Sequence, residues 1–134
     1  MRSWRCCRAR LRLPNICKPD VAEKKPHIFI CAGWGYVMIA RNYRGPRSRS
    51  ELDLVGWDGD ALCFIEVKTR TTRAVAPAEA AVDGAKQRDL SQVARDFLRK
   101  VAGRPPFRFD IVSIYFEQNR DPDISVFKDA FRMS

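Results

Sequence analysis

The stretch ELDLVGWDGDALCFIEVKTR, from Glu51 to Arg70, decides the fold. Two runs of strand-forming apolar residues flank Asp58-Gly59, a dipeptide that favours the tight turn of a β-hairpin. The outgoing strand is predicted over Glu51–Val55 and the return strand over Ala61–Thr69. Set among these apolar residues are Glu51, Asp53, Glu66 and Lys68. Side chains two apart on a strand share a face, so Glu66 and Lys68 project together, as do Glu51 and Asp53. A turn symmetric about Asp58-Gly59 puts Glu66 opposite Glu51 and diagonal to Asp53. Leu52, Leu54, Cys63, Ile65 and Val67 then share the apolar face, and the four charged residues occupy the other, away from the turn.

Carboxylates at this spacing repel, and like charges directly opposed weaken a sheet unless something compensates. A divalent cation would do so. Asp53 and Glu66 are hard oxygen ligands suited to Mg²⁺ or Mn²⁺, which take one or two carboxylates and leave other positions to water and substrate phosphate. Such an ion acidifies a bound water and offsets charge developing on a phosphodiester. Lys68 beside it can orient the attacking water or stabilise the pentavalent phosphorus. The plainer alternative is a surface face neutralised within itself, with Lys68 and Arg70 pairing with the acids.

Working outward, the 134 residues suit one domain with a single core, predicted over residues 28–134. Tyr36–Ala40 forms a short apolar run after Gly33 and Gly35, as expected of a buried strand. Arg41, Arg44, Arg47 and Arg49 follow in a basic loop around Gly45 and Pro46. With Arg70 they are the candidate nucleic-acid contacts. Beyond a loop ending near Pro77, Leu90, Val93, Ala94, Phe97, Leu98 and Val101 recur at offsets of three and four, which predicts one face of a helix. Gly103, Pro105 and Pro106 end it. Phe107–Phe116 is predicted as a central strand and Ile124–Phe127 as a short final one. The expected architecture is α/β, a mixed sheet of four or five strands flanked by helices.

The net charge of +9 favours a polyanionic partner. Six of the nine charges come from Arg2, Arg5, Arg8, Arg10, Arg12 and Lys18, in a stretch without acids. Residues 1–27, interrupted by Pro14, Pro19 and Pro26, read as a basic arm. Cys6, Cys7, Cys17, Cys31 and Cys63 contain no CxxC pair, which suggests reduced thiols and a cytoplasmic protein. Cys6, Cys7, Cys17 and His27 match no zinc module. No apolar run reaches the roughly 20 residues of a membrane-spanning helix. Trp34, Tyr43 and Trp57 are either base-stacking groups or packed aromatics.

The blocks RNYR, ELDLV, FIEVKTR, AKQRDLSQVARDFL and RFDIVSIY together resemble the YraN family of bacterial proteins, from about Gly35 to Phe131. The resemblance implies a restriction-endonuclease-like fold of the PD-(D/E)xK phosphodiesterases. Its metal-binding acids and lysine would fall on Asp53, Glu66 and Lys68, with Glu51 nearby. Lys86 and Gln87 resemble in place the helix Lys or Gln that stands beside the metal in related nucleases. Met1–Trp34 lies outside the match, and the acid expected from the family's opening helix falls on Lys24, next to Glu23. Likeness to Holliday-junction resolvases at the level of fold points to structured or branched DNA.

The reading that follows is a nuclease dependent on Mg or Mn, acting on DNA rather than RNA. A non-catalytic nucleic-acid-binding module on the same fold is the alternative, and a small structural protein is the third class. Monomer and homodimer both remain open.

Overall fold

The computed structural model describes residues 6–8, 34–71 and 82–133. Six strands form one sheet: β1 (Cys6–Arg8), β2 (Val37–Arg44), β3 (Glu51–Asp58), β4 (Ala61–Arg70), β5 (Phe107–Tyr115) and β6 (Asp123–Phe131). Their order across the sheet is β1-β6-β5-β4-β3-β2. Every neighbouring pair is antiparallel except β4 and β5, which run parallel. Parallel neighbours need a crossover connection, and the helix α1 (Gly84–Leu98) lies within it. The α/β class with a mixed sheet is thus as expected.

The helix starts where local chemistry directs it. Asp83 is extended and its carboxylate accepts from the Lys86 N–H at 2.9 Å, satisfying one of the first-turn donors. Leu90, Val93 and Ala94 then point into the core. They meet Leu52, Val55, Leu62, Phe64, Phe109 and Ile111 on one face of the sheet. Phe97 stands edge-on to Tyr43 and Phe64 there, with ring centroids 5.0 and 6.0 Å apart. Gly103 takes a left-handed φ of +78° beyond the helix end. The opposite face buries Tyr36, Leu54, Cys63, Ile65, Val112, Ile114, Ile124 and Val126. Burial on both sides explains why β4 and β5 read as nearly continuous apolar runs.

Several expectations need correction. The hairpin turns at Gly59-Asp60, because Asp58 pairs with Ala61. Asp58 is held in the strand by Arg108 Nη2 at 2.5 Å and Lys128 Nζ at 2.8 Å, so Gly59, with φ +58°, takes the first central position. This moves the register by two: Leu54 faces Ile65, and continuing the same pairing sets Asp53, rather than Glu51, opposite Glu66. The alternation of faces also breaks near Asp53, since Leu52 packs with the helix-face cluster and Leu54 with the opposite one.

The strand after Tyr36 runs on through RNYR, so Arg41 and Arg44 lie on β2 rather than in a loop. The last strand reaches Phe131, well past Phe127. Val101 lies beyond the helix. The sheet has six strands instead of four or five, because Cys6–Arg8, within the stretch read as an arm, pairs with Ser125–Phe127 of β6. Among the described residues α1 is the one helix.

Candidate active site

β3 and β4 are paired from the turn as far as Leu54 and Ile65. Beyond that point the Val67 N–H donates to the Asp53 carboxylate at 2.8 Å. A side chain has taken the role of a main-chain acceptor, and the strands form a fork. Glu66 sits at this fork on the helix side of the sheet, only 5% exposed. Its Oε1 accepts from Lys68 Nζ at 2.8 Å, and Lys86 Nζ, from the first turn of α1, lies 3.6 Å from the same oxygen. Glu66 Oε2 is buried and has no hydrogen-bond partner among the described residues. A buried carboxylate oxygen without a donor is costly, on the order of 1–3 kcal/mol or more.

Desolvation raises the Asp53 carboxyl above the ordinary aspartate range, and the charge of Glu66 raises it further. The Val67 N–H, Lys86 and Lys68 act in the lowering direction. Two carboxylates and two ammonium groups therefore converge: Asp53, Glu66, Lys68 and Lys86. The Glu51 carboxylate accepts from Arg44 Nε at 2.9 Å across the β2–β3 pair. The register brings Asp53 to the place expected for Glu51.

The other candidates are dispersed. Arg41, Arg47 and Arg49 are exposed on β2 and the following loop, and Arg44 is 69% exposed while bonded to Glu51. Arg70 ends β4, half-buried, and its Nε lacks a partner among the described residues. Trp34, Tyr43 and Trp57 are partly buried and pack against the two core clusters, as the packed-aromatic alternative expects. Gln87 turns back to donate to the Val82 carbonyl at 3.0 Å. Burial pushes the Cys63 thiol up to about 12, leaving it inert. Glu23, Lys24, Cys17 and His27 lie outside the described residues.

One polar group escaped the sequence reading. Asp110, fully buried on the face opposite Glu66, accepts from Tyr36 Oη at 2.7 Å, from Arg108 Nε at 2.9 and 3.1 Å, and from the Asp129 N–H at 2.9 Å. Asp129 has a left-handed φ of +54°, where the β5–β6 register shifts. The signal was available in RFDIVSIY: an Arg-x-Asp pair inside an apolar strand must be internally satisfied if it is to be buried.

Residues 30–114 match the sequence profile described as uncharacterised protein family UPF0102. A UPF0102 protein of Koribacter versatilis is 55% identical over 100 residues, covering 75% of this chain and 69% of its own length. One from Solibacter usitatus is 42% identical over 98 residues, 72% of this chain and 73% of its own. A third, from Geotalea uraniireducens, is 35% identical over 118 residues, 86% of this chain and 91% of its own.

Proposed function

The chain belongs to the UPF0102 family, in keeping with the YraN resemblance of its motifs, and from that premise we propose a metal-dependent nuclease that hydrolyses DNA phosphodiesters on a restriction-endonuclease-like fold. The observation that carries the reading is the buried Glu66 carboxylate, one oxygen held by two lysines and the other without a partner among the described residues, beside a desolvated Asp53. A neutralised surface face would leave that second oxygen to water.

Among the described residues no group of three or more His, Cys, Asp or Glu gathers into a metal cage. The donor set that does converge suits Mg²⁺ or Mn²⁺, which accept two carboxylates and keep water and phosphate oxygens in the other positions. Asp53 and Glu66 would hold the ion, Glu66 through the lone pairs of Oε2. Such an ion would offset negative charge on a phosphoryl oxygen and make a coordinated water more acidic. Lys68, fixed on Oε1, keeps its ammonium at the reacting phosphate to orient water and stabilise negative charge. Lys86 offsets the remaining charge of Glu66 from the helix side, and the Val67 N–H fixes the rotamer of Asp53.

The close Lys68–Glu66 pair also favours a second reading, a binding module in which the lysine neutralises the acid and no turnover occurs. Incubation of single-stranded, duplex, flap and four-way DNA with Mg²⁺ or Mn²⁺ separates the two. Cleavage that requires the ion and vanishes in Asp53→Asn and Glu66→Gln is expected. Salt-sensitive binding without cleavage would favour the second reading, and cleavage persisting in chelator would remove the assignment to this fork.

A further inference from the structure

Among the described residues, the buried polar atoms without partners on the helix side of the sheet include Glu66 Oε2, Arg70 Nε and Ser113 Oγ. Glu66, Lys68 and Arg70 alternate along β4 and so share a face. In the parallel β4–β5 ladder Lys68 is level with Ser113, and Arg70 with the next residue but one, Tyr115. Phe109 and Ile111 of β5 pack against the helix, so Ser113, two further along, projects to that side as well. Neighbouring strands are about 4.8 Å apart, which sets the Ser113 side chain beside the stem of Lys68.

Ser113 is 1% exposed, yet its hydroxyl neither donates nor accepts among the described residues. Apolar strands can bury Ala or Val at such a place without that penalty. The half-buried guanidinium of Arg70 is one step further toward the strand end, with an unused donor. An anion is the ligand for which a hydroxyl donor and a guanidinium beside an ammonium are suited, since Arg pairs with phosphate through directed N–H bonds.

Resting on the nuclease reading, we propose that Arg70 and Ser113 form a subsite for a DNA backbone phosphate adjacent to the one that reacts. Along β4, Lys68 separates Arg70 from Glu66, with Ser113 level with Lys68 on the neighbouring strand, so one phosphate occupies the reacting position while its neighbour is held by the guanidinium and the hydroxyl. The pair would fix the register of the strand along β4, the step that precise cleavage demands.

The test uses the full chain with duplex DNA, measuring binding across a salt series in Ca²⁺ and cleavage in Mg²⁺. Arg70→Gln is expected to flatten the slope of log K against log salt by about 0.9, the loss of one phosphate contact. Ser113→Ala is expected to weaken binding about tenfold, as for a hydrogen bond to a charged group, and to raise KM more than it lowers kcat. Its thermal stability should be equal or higher, because a hydroxyl without a partner has gone. If the wild type binds and cleaves while both variants keep its salt slope, Kd and KM, the subsite is wrong and the nuclease reading stands. If the wild type shows no salt-dependent DNA binding, the nucleic-acid reading falls and the subsite with it.

Discussion

Replacing Asp110 by alanine should come close to unfolding the protein without involving the proposed chemistry. The carboxylate is fully buried and receives Tyr36 Oη, Arg108 Nε and the Asp129 N–H. Removing it leaves the hydroxyl and the main-chain N–H without their acceptor, at about 1–2 kcal/mol each. It also breaks an ion pair whose acid is buried, for which losses of about 3–5 kcal/mol are typical. Arg108 keeps Asp58 and is partly exposed, which discounts that figure toward its lower end. The total is about 5–7 kcal/mol against a usual domain stability of about 5–15 kcal/mol. Tyr36→Phe removes one donor and leaves the acid otherwise bonded, so a loss of about 1 kcal/mol is expected. Urea unfolding near neutral pH measures both, with midpoints compared at constant slope. A folded Asp110→Ala protein that loses less than about 1 kcal/mol would refute the reasoning, and one that stays stable but no longer binds metal would make Asp110 a functional acid.

Lys68→Met should retain metal binding, measured by titration calorimetry, but lose cleavage by about 10²–10³, the equivalent of roughly 3–4 kcal/mol of transition-state stabilisation; unchanged turnover would release Lys68 from the mechanism. Asp53→Asn should be more stable than wild type in the absence of metal near neutral pH. The raised Asp53 carboxyl favours the folded state while protonated, and that contribution is lost as pH rises through its folded-state value. Thermal melts should therefore diverge as pH rises above about 4 and converge below it, and Mg²⁺ should stabilise only the wild type; parallel melting curves would contradict the burial of this charge. Gly45→Ala should be destabilised by about 1–3 kcal/mol, because a Cβ there would run into the buried Asp96 carboxylate of α1; an unchanged melting temperature would mean that this loop moves aside without cost.

How far the site could be read from the sequence is shown by comparing two acids in apolar strands, Asp53 and Asp110. Both accept a main-chain N–H where a ladder is interrupted: Val67 for Asp53, Asp129 for Asp110. Strand periodicity located β3, β4, β5 and the apolar stripe of α1, residue type singled out Asp53, Glu66 and Lys68, and Lys86 came from the resemblance to related nucleases. Register escaped it, because Asp58-Gly59 is a strong turn signal only where both residues are free to leave the strand. Asp58 is not free, being tied to Arg108 and Lys128, some 50 and 70 residues away in the chain. That long-range constraint moved the turn and placed Asp53, not Glu51, beside Glu66. The same kind of constraint hid Asp110, whose role depends on Tyr36 and on the bend at Asp129. Composition alone does not distinguish an acid that holds a fold from one available to a ligand. The distinction lies in the remaining lone pairs. Both oxygens of Asp110 are bonded by donors within the fold, whereas Glu66 Oε2 has no donor among the described residues and lies next to a second, desolvated carboxylate. The cation proposed above would supply the charge that this oxygen lacks among the described residues.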